Sequence, residues 1–299
     1  MNENELPTLQ WFPGHMKKAQ RLIETNLRLV DMVIEVLDAR IPSSSQNPLL
    51  KKLIGTKPRL IALCKSDLAD QKLTAAWTDH FRAEEITAVA VDAVKGNGIK
   101  NLIAAAQKIS EPFTHKLVKH GGKPRAARVM IVGIPNVGKS SLINRLTGGA
   151  HTKIENRPGV TRAKQWIKLE GNLELLDTPG ILWSKFDDRE AALKLAWTFA
   201  INDEIYDLER TVELLLETLS KRYPSGLIER FKLDQPLPIV GSELLEAIGR
   251  KRGCLKKGGA LDLDKAQRMV LTDFRNGKLG RVTLDPLPTI TGIEENDPK

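Results

Sequence analysis

From the N-terminus to about residue 180, short apolar runs rich in β-branched residues alternate with stretches whose apolar positions recur at helical spacing. The runs are Met32–Leu37, Arg59–Cys64, Ile86–Val91, Arg128–Gly133, Gln165–Leu169 and Leu173–Leu176. Helical patterns fill 16–29, 70–83, 98–110 and 138–147. Such alternation predicts an α/β fold, a doubly wound and mostly parallel sheet with helices on both faces. Glu170-Gly171-Asn172 predicts a tight turn that makes the last two strands a hairpin. After about residue 185 the strand signal fades. Leu208, Val212, Leu215, Leu216 and Leu219 fall on one helical face, and Leu263, Ala266, Val270 and Phe274 on another that stops at Gly277. Pro236 and Pro238 break the chain between them. The pattern divides the chain into an α/β domain over 1–185 and a C-terminal helical domain over 186–299. The stretch 111–127, with its Gly-Gly-Lys-Pro, reads as a linker or loop.

At 299 residues and 41% hydrophobic content the chain has enough apolar material for a sizeable core. No run approaches the roughly 18 apolar residues of a membrane helix, and the polar opening MNENELPTLQWFPGHM lacks a secretory h-region. Cys64 and Cys254 stand alone, which excludes a disulfide framework and a cysteine-based zinc site, and a cytoplasmic location is expected. The net charge of +9 is uneven. Residues 203–299 hold 16 basic and 17 acidic residues, whereas 1–202 hold 30 and 20. Residues 112–154 contain eight Lys/Arg and no carboxylate. A second cluster, Arg250, Lys251, Arg252, Lys256 and Lys257, stands in the balanced half. Positive fields of this kind attract nucleotide phosphates or a nucleic-acid backbone. A solvated helix end is the plainer alternative for the second cluster, because cations also favour a helix C-terminus.

Gly133-Ile134-Pro135-Asn136-Val137-Gly138-Lys139-Ser140 satisfies G-x-x-x-x-G-K-[ST], between an apolar run and a helical stretch. The backbone N–H groups of such a loop, Val137 to Ser141 among them, turn toward phosphate oxygens, and the helix N-terminus adds a positive dipole. Lys139 is expected to neutralise the β- and γ-phosphates and Ser140 to bind Mg²⁺. Asp177-Thr178-Pro179-Gly180 ends an apolar run 37 residues after Ser140. Asp177 suits the same metal, and Pro179-Gly180 suits a backbone sensor of the γ-phosphate. Thr161, in the polar stretch Pro158–Arg162, is placed to bring its hydroxyl to the metal as a switch.

A guanine site needs a carboxylate for the base N1–H and N2–H₂. It is found upstream, where a predicted strand ends in Cys64-Lys65-Ser66-Asp67. The next strand ends in Asp92-Ala93-Val94-Lys95-Gly96-Asn97-Gly98, whose Ala93 can offer its N–H to guanine O6. The base-reading elements therefore precede the phosphate-reading ones, yet both can meet along one edge of the sheet.

This rotated order resembles the circularly permuted GTPases, specifically the YlqF/RbgA family. The resemblance spans nearly the whole chain. It includes Gln10–Met16, then Asp38-Ala39-Arg40-Ile41-Pro42 and Asn47-Pro48, which look like the family's first strand and turn, and Leu245–Gly253 and Asp273–Gly280, which look like its C-terminal domain. It implies a circularly permuted P-loop GTPase domain and a bacterial GTPase of late large-subunit assembly. Such a protein binds GTP and GDP with Mg²⁺ and meets rRNA of the pre-ribosomal particle partly through the helical domain; no protein partner is implied. The chain departs from the family at Cys64, where an Asn is the rule, and a thiol is a weak donor and acceptor. Ile181 stands where Ras-like GTPases carry a water-orienting Gln. By resemblance, Asn136 helps hold a K⁺ ion near the phosphates and His15 assists hydrolysis. From the residues alone His15 is a surface or packing histidine, and Trp11 and Phe12 are core anchors. Two other readings stay open. One is an rRNA-binding scaffold with a weakened, slowly turning-over nucleotide site, against which Lys139, Ser140, Thr161 and Asp177 weigh. The other is an ATPase, against which Asp67 weighs, since it would repel the acceptor edge of adenine.

Overall fold

The computed structural model describes residues 16–119, 125–148, 166–176 and 188–288, with side chains from residue 21 in the first helix and to residue 113 in the fourth. His15, Thr161, Asp177, Pro179, Gly180 and Ile181 lie outside the described residues, as do Trp11 and Phe12.

Six strands form one sheet in the order β3-β2-β1-β4-β6-β5. They are β1 (Met32–Asp38), β2 (Arg59–Cys64), β3 (Thr87–Val91), β4 (Ala127–Val132), β5 (Trp166–Leu169) and β6 (Leu173–Leu176). All neighbours are parallel except the β5–β6 hairpin. The period of two along β1 explains the layering. Met32, Ile34 and Val36 share one core with Leu102 and Ala106 of α4 (Ile99–Lys119) and with Leu142 and Ile143 of α5 (Lys139–Leu146). On the other face, Val33 joins Ile23 and Leu27 of α1 (Met16–Leu27) and Leu50 and Ile54 of α2 (Pro48–Ile54). Leu37 there joins Trp77 and Phe81 of α3 (Gln71–Ala83).

Two local expectations are corrected. The stretch 111–127 is not a linker throughout, because α4 runs through Pro112 to Lys119. Proline removes a single N–H from the ladder, and the partner it deprives is the carbonyl of the exposed Lys108, where solvent can take the place of the donor. The turn expected at Asn47-Pro48 opens α2 instead. The Asn47 carboxamide oxygen accepts from the N–H groups of Leu49 and Leu50, and Pro48 sits at the first helical position, where it loses nothing.

The second half is helical: α6 (Arg189–Trp197), α7 (Leu208–Arg222), α8 (Pro224–Phe231), α9 (Gly241–Lys251) and α10 (Leu263–Arg275). Asp188, Asp207 and Asp262 cap α6, α7 and α10 by accepting a first-turn N–H. The other four helices pack around α7 or its neighbours, and their core, with Trp197, Leu215, Phe231 and Phe274, is continuous with the α4–α5 face of the sheet. Residues 279–285 return to the sheet as a strap. The Val282 N–H donates to Leu68 O at 3.0 Å and the Leu284 N–H to Arg40 O at 2.7 Å. Asp285 accepts from the N–H and hydroxyl of Ser44. No helix among the described residues is long and apolar enough to cross a membrane.

Candidate nucleotide site

Because β1 to β4 are parallel, the loops that follow them emerge at one edge of the sheet, with β1 between β2 and β4. The glycine loop leaves β4 under tight constraint. Gly133 has φ +152°, and a Cβ there would lie 2.5 Å from the Val36 carbonyl oxygen, so the backbone passes where no side chain fits. Gly138, at φ +108°, precedes α5, and a Cβ on it would lie 3.1 Å from Cys64 Cβ. Val137 is buried, whereas Asn136, Ser140 and Ser141 are exposed. Lys139 folds back over the loop, its Nζ donating to Ile134 O at 2.6 Å, and burial lowers its pKa to about 8.

Lys65 joins the base-side loop to the phosphate-side loop. At φ +57° it aims its ammonium at the Asn136 carbonyl, to which it donates, and at Asp38, 2.9 Å away. Asp38 is fully enclosed. Arg40 clasps it from Nε at 2.9 Å and from a terminal nitrogen at 2.7 Å, and Arg40's own N–H adds a third bond. Burial alone would raise the Asp38 carboxyl, but the cations of Arg40 and Lys65 outweigh it and hold the group well below the carboxylate range. Cys64 is buried in the core against Gly138, and burial, with Asp38 nearby, pushes its thiol up to about 12. The thiol is therefore inert and acts as packing between the two loops.

Asp67 is half-buried, and its carboxylate has no partner among the described residues. Ala93 N–H is likewise unpartnered among them. Asp92 opens the loop that carries Ala93. It is buried, and its Oδ1 accepts from Val94 N–H and Lys95 N–H, both at 3.0 Å, so it shapes its own loop from within. The site thus brings Lys65, Asp67 and Ala93 together beside Asn136, Val137, Gly138, Lys139, Ser140 and Ser141.

The pattern reading missed the roles of Asp38 and Arg40, although Asp38-Ala39-Arg40 at a strand end is visible in the chain. It also missed Phe199, whose carbonyl accepts from Asn136 Nδ2 at 2.6 Å and so links the glycine loop to the end of α6. A cleft of ≈ 390 Å³ opens there, lined among others by Arg40, Lys65, Asn136, Phe199 and Arg275.

The residues fit a guanine nucleotide. An unpaired carboxylate and a free N–H stand at the base end, and a constrained amide loop with a buried lysine stands at the phosphate end. Of the residues expected to hold Mg²⁺, Ser140 is described, and it is exposed. For K⁺, Asn136 keeps its Oδ1 without a partner among the described residues while Nδ2 is held by Phe199. No group of three His, Cys, Asp or Glu suited to a metal occurs among the described residues.

The basic cluster of the second half is divided. Arg250 pairs with Glu246 at 3.1 Å and Lys251 with Asp234 at 2.8 Å. Arg252, Lys256 and Lys257 are exposed and carry no ion pair among the described residues.

A strand, a phosphate loop and a helix, with the base-reading loops earlier in the chain, define a P-loop GTPase of permuted order. The model of the family described as 50S ribosome-binding GTPase matches residues 128–223. Ribosome biogenesis GTPase A of Bacillus cereus is 48% identical over 278 residues, covering 93% of both chains. The protein of that name from Thermotoga maritima is 34% identical, covering 96% of this chain and 98% of its own. The crystal structure of GNP-bound YlqF from T. maritima superposes with a TM-score of 0.60 at 31% identity, covering 90% of this chain and 97% of that one. The chain belongs to the ribosome biogenesis GTPase A family, the YlqF/RbgA group of circularly permuted GTPases.

Proposed function

We propose that this protein is a GTP hydrolase that assists assembly of the large ribosomal subunit and binds its rRNA-containing precursor in a nucleotide-dependent way. The observation that carries the reading is the joint between the two loops: Lys65 bonded to Asn136, and Cys64 packed on Gly138. It brings the guanine-reading and phosphate-reading elements together despite their rotated order. In this reading Asp67 accepts from the base N1–H and N2–H₂, Ala93 N–H meets O6, and Lys65 walls the base. The N–H groups of Val137 to Ser141 and the Lys139 ammonium hold the phosphates, with Pro179-Gly180 completing the γ-phosphate side. Ser140, Thr161 and Asp177 would hold Mg²⁺, and Asn136 Oδ1 would hold K⁺. When bound, these cations supply positive charge to the transferring phosphoryl group, as an arginine finger does elsewhere. With Ile181 unable to orient water, His15 is assigned to assist hydrolysis. The division into a GTPase domain over 1–185 and an RNA-binding helical domain over 186–299 belongs to the same proposal, as does a cytoplasmic site of action. The scaffold reading is not favoured, because the Cys64 departure leaves the joint between the loops in place.

The test is GTP hydrolysis by wild type and Lys139→Ala, with and without purified large ribosomal subunits, in K⁺ and in Na⁺. Turnover should rise with subunits, vanish in the variant, and slow in Na⁺ more than nucleotide binding weakens. Subunit binding that neither depends on nucleotide nor stimulates turnover would restore the scaffold. Equal rates in the two salts would remove K⁺.

A further inference from the structure

The helix that follows the phosphate loop also reaches the base loop. From the last turn of α5, Arg145 Nε donates to Ala93 O at 3.0 Å, and its Nη2 donates to Val94 O. The guanidinium lies against Gly96, 3.6 Å from where a Cβ would stand. Asp92 grips the same stretch from the other side through the N–H groups of Val94 and Lys95.

These four bonds fall on two consecutive peptide planes. The Ala93–Val94 plane is held by its oxygen to Arg145 and by its N–H to Asp92. The Val94–Lys95 plane is held in the same two ways. A peptide group is rigid, so these two planes are fixed, and the plane before them, which carries Ala93 N–H, is held at its own oxygen: Asp92 O accepts from Gly96 N–H at 2.8 Å. The Ala93 N–H itself remains free among the described residues.

We infer that Arg145 is a positioning residue for base recognition: it locks the 92–97 loop so that Ala93 N–H faces guanine O6, and it couples the phosphate-binding helix to the base. The inference rests on the assignment of Ala93 to O6 made above. Arg145 and Val94 are exposed, so water can replace the lost bonds. Their loss therefore costs order in the loop rather than leaving buried groups unpaired.

The experiment compares binding of GDP and of 6-thioguanosine diphosphate, which keeps N1–H and N2–H₂ but replaces O6 with a weaker acceptor. The full-length protein, Arg145→Ala and Arg145→Lys are titrated by calorimetry, with melting temperatures recorded for each. Wild type should prefer GDP. Arg145→Ala should weaken GDP by about three- to tenfold, the range of one modest hydrogen bond, and weaken the thio analogue less, so that the preference shrinks. Arg145→Lys, able to donate to one carbonyl, should restore part of it. Equal losses for both nucleotides would reduce Arg145 to support of α5, and an unchanged GDP affinity would overturn the inference outright. A wild type without preference would remove Ala93 as the O6 donor, and the role of Arg145 with it.

Discussion

Lys139 shows how much a single position depends on its surroundings. The motif identifies it as the phosphate lysine, but not that it is 9% exposed and bonded to the carbonyl of Ile134. Burial brings its pKa down to about 8, against about 10.4 for a free lysine. Two opposite pH dependences follow. Between pH 8 and about 10.4 the unfolded chain holds more protons at this residue than the folded one, so the nucleotide-free protein gains stability as pH rises. Phosphates, in contrast, require the charged form. Above pH 8 binding must therefore take up a proton, and affinity falls toward tenfold per pH unit. Titrations at pH 7.5 to 9 in buffers of different ionisation enthalpy would show proton uptake for wild type and a smaller one for Lys139→Arg, whose charge does not titrate. The Arg variant also isolates any ionisation of the base itself. A flat affinity across that range would mean that Lys139 stays charged in the free protein. Cys64, with its thiol pushed up to about 12, contributes nothing to this window.

At the scale of elements, the strands were legible because parallel strands buried on both faces read as continuous apolar runs, and β1 is buried at every position. Helices with a clean apolar face, such as α7 and α10, were legible too, and their Asp207 and Asp262 caps are a further signal in the chain. What periodicity could not convey was how far a helix runs past a proline on its solvent side, or which distant segments close on one another. The contact between Ser44 and Asp285 spans 241 positions and has no local signature. That contact nonetheless has the physics of a fastener. Asp285, buried, accepts from Ser44 N–H and Oγ at 2.7 Å each and faces Lys194 at 2.9 Å. Lys194 is itself buried, and burial alone would lower its pKa, but Asp285 and Glu190 raise it. Asp285→Ala leaves a largely buried cation with one partner at its rim and a buried N–H with none. A loss of about 3–5 kcal/mol is expected for breaking such a pair from one side. Urea denaturation would measure it. Because the strap crosses the Arg40 carbonyl beside Asp38, nucleotide affinity should fall as well. A loss under about 1 kcal/mol would mean that the strap is held by its apolar residues Leu279, Val282 and Leu284 alone.

For the whole molecule, charge bears on what the second half of the chain meets. The sequence showed five cations in a balanced half, but not how they are shared out. Arg250 and Glu246 pair within α9 at i,i+4, a spacing the chain itself displays, whereas the pairing of Lys251 with Asp234 is set by packing and was invisible in composition. The remaining three, Arg252, Lys256 and Lys257, stand on the exposed turn between α9 and α10, where Leu255 and Leu261 form an isolated bridge across its base. An rRNA backbone rewards free cations, each phosphate contact releasing counterions and adding about 0.7–0.9 to the salt slope of binding. Cations already paired with carboxylates must first give up those partners. Sedimentation with purified large subunits across a KCl series should therefore separate the two groups. The Arg252/Lys256/Lys257 triple Ala variant should lower the slope by about two to three, whereas the Arg250/Lys251 double Ala variant should lower it by less than one. The same series with GDP and with a non-hydrolysable GTP analogue tests the nucleotide dependence. The triple variant should weaken binding in both states by a similar factor, because no hydrogen bond or ion pair joins the turn to the glycine loop among the described residues. Equal slopes for all three proteins would place the rRNA contact elsewhere on the molecule. A larger loss from the double variant would mean that Glu246 and Asp234 let go of their partners on binding.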